Sequence, residues 1–119
     1  MRLDHVQLAI PPGGEAKARA FWCDLLGLSE ISKPPGLARR GGLWLALDGA
    51  ELHLGVESGF APALKAHPCL VVADLPALAE RLSGAGHAVR PDEAIAGRER
   101  FYCDDPFGNR LEFMAPASA

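Results

Sequence analysis

Three histidines and one glutamate carry the chemistry that this sequence can offer. His67 follows His5 by 62 residues, and Glu112 follows His53 by 59. Imidazole nitrogens with one carboxylate make a ligand set for Fe(II), Mn(II), Co(II), Ni(II) or Zn(II), with room left for water or substrate. A single strand histidine is more often structural or solvated. What sets these four apart is that they fall at equivalent places in two halves of the chain.

The elements that position them repeat. Residues 3–10 read as a strand, with Leu3, His5, Gln7 and Ala9 on one face and Asp4, Val6, Leu8 and Ile10 on the other. Pro11-Pro12-Gly13-Gly14 breaks it. Residues 15–26 read as a helix with Ala18, Phe21 and Leu25 on one stripe and Gly27 at its end. A short strand is expected at 28–31, then a turn at Pro34-Pro35-Gly36. Strands at 42–47 and 51–56 are joined by the hairpin signal Asp48-Gly49. After a connector at 58–66 the plan recurs. It gives a strand at 68–72, a helix capped by Asp74 with Pro76 in its first turn, a short strand at 87–90, and strands at 98–103 and 110–114.

The repeat is arithmetical. Matching His5 to His67 brings Ile10 onto Val72. Matching Gly27 to Gly86 brings Gly49 onto Gly108, Leu52 onto Leu111 and His53 onto Glu112. The two offsets differ by a strand-to-helix loop three residues shorter in the second half. At the second offset Trp44 falls on Cys103. In each closing strand the residues beside the polar one are apolar, so His53 and Glu112 point away from the helix-packed face, as His5 does. Two such sheets about a pseudo-twofold axis would form a cup into which His5, His53, His67 and Glu112 converge. His87 serves as a control: it overlies Leu28 and is given no role. The expected fold is α+β, one domain of two tandem βαβββ modules, about 1–57 and 67–116, in a cup-shaped mixed sheet.

The remaining polar positions are weighed one by one. Gln7 and Cys69 share the faces of His5 and His67 and can line the cup. Trp44, Phe101 and Phe107 are candidates to line an apolar part of a substrate pocket, with core or rim packing the alternative. Arg39-Arg40 and Arg98/Arg100 read as a solvated face or as a hold on an anionic substrate. Asp104-Asp105 precedes a Pro turn and shapes it. Gly108 is expected to need a positive φ.

Composition bounds the rest. The chain has 119 residues, 12 Lys+Arg and 15 Asp+Glu, for a net charge of −3, and neither sign forms a run. Nucleic acid and membrane are therefore not expected as partners. Hydrophobic residues at 49% and charged residues at 23% describe a folding chain rather than a disordered one. No stretch approaches a membrane span, and the first residues do not read as a signal peptide. Three scattered cysteines, Cys23, Cys69 and Cys103, read as small core hydrophobes of a protein in a reducing, cytoplasmic compartment.

The opening Leu3-Asp4-His5-Val6, the segment Phe21-Trp22-Cys23-Asp24-Leu25-Leu26-Gly27-Leu28 and the phrase Asp105-Pro106-Phe107-Gly108-Asn109-Arg110-Leu111-Glu112 resemble the vicinal-oxygen-chelate superfamily. This family holds glyoxalase I, bleomycin-resistance proteins, fosfomycin-resistance transferases and extradiol dioxygenases. The resemblance spans about residues 3–115. It implies metal ligands at His5, His53, His67 and Glu112, and a substrate chelated to the metal through adjacent oxygens. It further implies that Glu112, the sole carboxylate of the set, can move a proton, and that the protein is a homodimer. The function expected is a glyoxalase- or dioxygenase-like divalent-metal enzyme on a small oxygenated substrate. The alternative is a metal-free binder of the bleomycin-resistance type. Family membership does not fix the reaction.

Overall fold

A computed structural model describes residues 1–118. The chain divides into two compact units, Met1–Pro62 and Ala63–Ala119. Each holds a four-stranded mixed sheet with few helices, an α+β architecture with no closed barrel.

In the first unit, strand β1 (His5–Ile10) leads to helix α1 (Glu15–Arg19), then to β2 (Glu30–Ile31), a single helical turn α2 (Pro35–Ala38), β3 (Leu43–Ala46) and β4 (Glu51–Val56). The strand order is β1-β4-β3-β2, with β1 parallel to β4 and the others antiparallel. The core is Ile10, Ala18, Phe21, Trp22, Leu43, Leu45, Leu52 and Leu54. The expected helix stripe ended on Leu25, but Trp22 takes the inward place and Leu25 is half-buried. The cause is the winding. From Ala20 to Leu25 the helix is π-wound, with Leu26 N–H donating to Phe21 C=O at 2.9 Å, and the wider turn carries Trp22 inward. Its indole N–H finds no acceptor among the described residues. The expected turn at Pro34-Pro35-Gly36 is instead the start of α2, with Pro35 in the position that needs no N–H.

The second unit repeats the order: β5 (Cys69–Val71), α3 (Leu75–Gly84), β6 (Arg90–Ile95), β7 (Arg98–Asp104) and β8 (Arg110–Met114), paired as β5-β8-β7-β6. Asp74 caps α3 as expected, its carboxylate accepting from Ala77 N–H at 3.1 Å. The stripe Leu75, Leu78 and Leu82 is buried, as are Phe101, Cys103, Leu111 and Phe113 of the sheet.

One strand was misplaced. Residues 87–90 were expected to be extended, and the strand is Arg90–Ile95. All six of its residues are exposed, so no alternation marks it. It turns into β7 through Ala96 and Gly97, both at positive φ (50° and 76°). Those are the angles of a two-residue hairpin turn, written with Ala where Asn or Asp would have signalled it.

The closing turn follows its reading. Asp105, buried, accepts from Phe107 N–H at 2.9 Å, Asn109 N–H at 2.8 Å and Asn109 Nδ2 at 2.9 Å. Burial pushes its carboxyl up, against the pull of those bonds. Gly108 has φ +91°, as expected. Among the described residues no helix is long and apolar enough to cross a membrane.

Candidate functional site

The registers of the two sheets place the polar residues in matching positions. Gln7 lies opposite His53 between β1 and β4, and Cys69 lies opposite Glu112 between β5 and β8. Across the other side of each closing strand, Trp44 lies opposite His53 and Tyr102 opposite Glu112. Trp44 is therefore equivalent to Tyr102, not to Cys103. The slip comes from the turns: residues 47–50 join β3 to β4, while residues 105–109, one more, join β7 to β8.

In the first unit His53 is sandwiched. Its ring stacks on His5 (4.2 Å, 16° between planes) and on Trp44 (4.1 Å, 6°). Each outer ring comes from a neighbouring strand. This explains why His53 is only 5% exposed although it points away from the helix side. Carboxylates orient both imidazoles. His5 Nδ1 lies 2.8 Å from Asp4 Oδ2, and His53 Nε2 lies 2.9 Å from Glu51 Oε1. Asp4 is held below its usual value, first by the His5 hydrogen bond, so it is an ionised acceptor and Nδ1 carries the proton. The Nε2 of a neutral His5 is then left with its lone pair. A metal lies in the plane of the imidazole that binds it. Two rings stacked in near-parallel planes therefore cannot both aim at one ion in this arrangement; each has one nitrogen engaged by a carboxylate, Nδ1 in His5 and Nε2 in His53. His5, Gln7, Trp44 and His53 all line a pocket of about 440 Å³ within this unit.

In the second unit His67 and Glu112 meet. His67 Nδ1 donates to the Lys65 carbonyl at 2.8 Å, and Nε2 faces Glu112 Oε1 at 2.9 Å. The other carboxylate oxygen accepts from Arg100 Nη1 at 3.1 Å. Arg100 also donates to Tyr102 Oη (3.0 Å) and to the Glu93 carbonyl (2.7 Å), and pairs with Asp92 at 3.2 Å. Tyr102 sits edge-on to His67, with ring centres 5.3 Å apart. Desolvation is the largest influence on Glu112 and pushes it up. The hydrogen bonds and charges of His67 and Arg100 together outweigh it, so the carboxyl lies below its ordinary value.

Tyr102 and Arg100 were the residues not singled out for this cluster. Alternation on β7 holds the signal, since Arg100 and Tyr102 interleave with the buried Phe101 and Cys103. Phe101, a candidate to line the pocket, is buried at 3% exposure and packs on Phe113. Cys103 is a core residue as expected, with its thiol pushed up to about 11 by burial. Cys69 is not core: it is exposed, and its thiol is raised by partial desolvation and then by the Glu112 carboxylate. Within neither unit, among the described residues, do three or more His, Cys, Asp or Glu side chains gather as a metal-holding group. Each unit brings together one pair of the four expected donors.

Residues 2–113 match the family model of the Glyoxalase/Bleomycin resistance protein/Dioxygenase superfamily, and the chain belongs to that family. Among solved structures it is similar to a glyoxalase family protein from Bacillus anthracis. The identity is 44% and the TM-score 0.93, over 98% of this chain and 96% of the other. An antibiotic binding protein from Streptomyces sp. CB03234 is 25% identical with a TM-score of 0.69, over 98% and 99% of the two chains. A fosfomycin resistance protein from Listeria monocytogenes shares the fold at 15% identity, with a TM-score of 0.77 over 98% and 94%. No match was found among curated proteins.

Proposed function

We propose that the protein is a divalent-metal-dependent enzyme of the glyoxalase or dioxygenase kind, acting on a small oxygenated substrate. The observation that carries this reading is the braced His67–Glu112 pair. The Lys65 carbonyl fixes the Nδ1–H of His67, which leaves Nε2 as the nitrogen directed at Glu112. An orienting carbonyl behind the imidazole is the arrangement that metal-binding histidines use. His67 Nε2 and Glu112 Oε1 face each other at 2.9 Å, and a cation can be shared between two such donors. The donors therefore fit a divalent ion of the Fe, Mn, Co, Ni or Zn class. His67 and Glu112 are the proposed ligands of the second unit, and His5 and His53 are the further donors proposed from the first. Bound there, such an ion supplies Lewis acidity toward charge on two adjacent substrate oxygens.

Glu112 is the one carboxylate of the set and the group proposed to hold or move a proton. Arg100 is a positioning residue, since it reaches the chemistry through Glu112. Arg100→Ala is expected to lower metal affinity by about 10–100-fold, with the far-ultraviolet dichroism unchanged and Arg100→Lys recovering part of the loss. An affinity equal to the parent's would remove Arg100 from this role. A homodimer and a cytoplasmic location belong to the same reading. The first rests on the commonness of twofold assemblies and the second on the free thiols.

The alternative, a metal-free binder, draws on the aromatic-lined pocket of the first unit and on the likeness to an antibiotic binding protein. Elemental analysis of protein purified without a His-tag separates the two. Stoichiometric metal is expected. None, even after reconstitution with each of the five metals, would overturn the enzyme reading in favour of the binder.

A further inference from the structure

The pocket of the first unit has a chemical character that its proposed role does not explain. Lys33 and Arg40 line it beside His5 and His53, and no carboxylate does. Yet the chain as a whole is acidic, with 15 Asp+Glu against 12 Lys+Arg. The acids nearby are already engaged. Asp4 and Glu51 bond the two imidazoles, and Glu15 accepts from Gly42 N–H at 3.1 Å. Lys33 Nζ donates to the Gly41 carbonyl. That uses one of its three donors and holds the ammonium at the pocket wall. Arg40 is exposed, and its guanidinium forms none of the side-chain bonds described here.

An aromatic wall stands beside these cations. His53 is covered on both faces by His5 and Trp44, so it turns an edge toward the pocket. Leu37, Leu54 and Val56 supply the apolar part of the lining, and Gln7 adds a neutral amide. Two glycines allow close packing at and beside this wall, Gly55 under the Gln7 amide and Gly42 against the β4 backbone. A Cβ on Gly55 would lie 2.6 Å from Gln7 Nε2, and one on Gly42 would lie 2.0 Å from the Leu54 carbonyl oxygen.

We propose that this pocket binds the anionic end of a small amphiphilic molecule, a carboxylate or phosphonate on an apolar body, with Arg40 and Lys33 as its counter-charges. The inference deepens the function proposed above and rests on it for the idea that the ligand is the substrate. It assigns the substrate class: an oxygenated molecule that carries a fixed negative charge.

The test uses the full chain freed of metal with a chelator, so that it stands apart from the metal reading. Benzoate and phenylphosphonate are the anionic probes, and benzamide is the neutral one. Trp44 lines the pocket and Trp22 is fully buried, so quenching of tryptophan emission that vanishes in Trp44→Phe reports the site. The anions are expected to bind at least about tenfold more tightly than benzamide, as a charge-assisted hydrogen bond provides. Arg40→Gln and Lys33→Gln are each expected to weaken the anions by about tenfold and leave benzamide unchanged. Raising salt to about 0.5 M should weaken the anions alone. Equal binding of benzoate and benzamide, absence of anion binding, or unchanged anion affinity in Arg40→Gln would overturn the proposal. Anion binding lost in Arg40→Gln, in a protein that never retains metal, would uphold the pocket while refuting the metal enzyme. Stoichiometric metal with no effect of Arg40→Gln would do the reverse.

Discussion

Glu112→Gln is expected to leave the protein folded and strip it of metal. The side chain keeps its shape, so Phe113 and Leu111 on either side keep their places in the core. What is lost is the charge. The residue is only 6% exposed, and its two oxygens serve His67 and Arg100 separately. An amide offers one acceptor in place of two, and its nitrogen binds a hard or borderline cation poorly. Loss of a direct ligand exceeds the roughly 10–100-fold cost of losing an orienting partner, so metal affinity should fall by more than about 100-fold. Titration calorimetry with Ni(II) or Zn(II), beside circular dichroism, reads both halves of the prediction. His67→Ala should behave alike. Cys69→Ser is the control: Cys69 is exposed and outside the proposed ligand set, so metal affinity should stay at the parent's level. If Glu112→Gln holds metal as the parent does, Glu112 is not a ligand.

The pairs that matter were legible because two periodicities intersect there. Strand alternation set the face of His5, His53 and Glu112, and the internal repeat set their equivalence. The observed registers, Gln7 opposite His53 and Cys69 opposite Glu112, are the pairings that those two offsets require. The rest was obscured where one of the periodicities fails. The closing turn of the second unit carries one more residue than that of the first, so an offset right for β8 is wrong by one on β7. A slip of one exchanges the faces of a strand. On β7 that exchange separates the buried Phe101 from Tyr102, the residue that lies opposite Glu112. Strand β6 has no buried face to leave a pattern. For Arg100 the sequence leaves a solvated face and a hold on an anionic substrate both open, because charge alone does not show that a side chain is tied to Glu112, Tyr102, Glu93 and Asp92 together. The π-wound turn that brings Trp22 inward has no compositional mark at all.

Gly42→Ala is expected to be the most damaging small change to the fold, and Gly49→Ala its measure. Both residues lie at positive φ, +81° and +77°. Alanine in that region costs roughly 1–2 kcal/mol through the crowding of its Cβ against the following carbonyl. At Gly49, in the turn between β3 and β4, an added Cβ meets nothing within 4 Å, so that backbone cost is the whole effect. At Gly42 the same Cβ would stand 2.0 Å from the Leu54 carbonyl oxygen and 3.1 Å from its carbon. These are backbone atoms of β4, next to Leu43, which pairs with Leu54. No side chain can swing aside, so β3 must part from β4 or the entry to β3 must shift. The Gly42 N–H that donates to Glu15 would move with it. A loss of more than about 4 kcal/mol is expected at Gly42, in the range reserved for strain and broken buried pairing. Urea unfolding of the two variants gives the difference directly. A Gly42→Ala variant as stable as Gly49→Ala would mean that the strand entry yields, and that the glycine is there for its φ alone. Should Gly42→Ala fold only weakly, benzoate should lose its hold on what remains folded, because the Leu54–Val56 side of the pocket is the strand that the methyl group displaces.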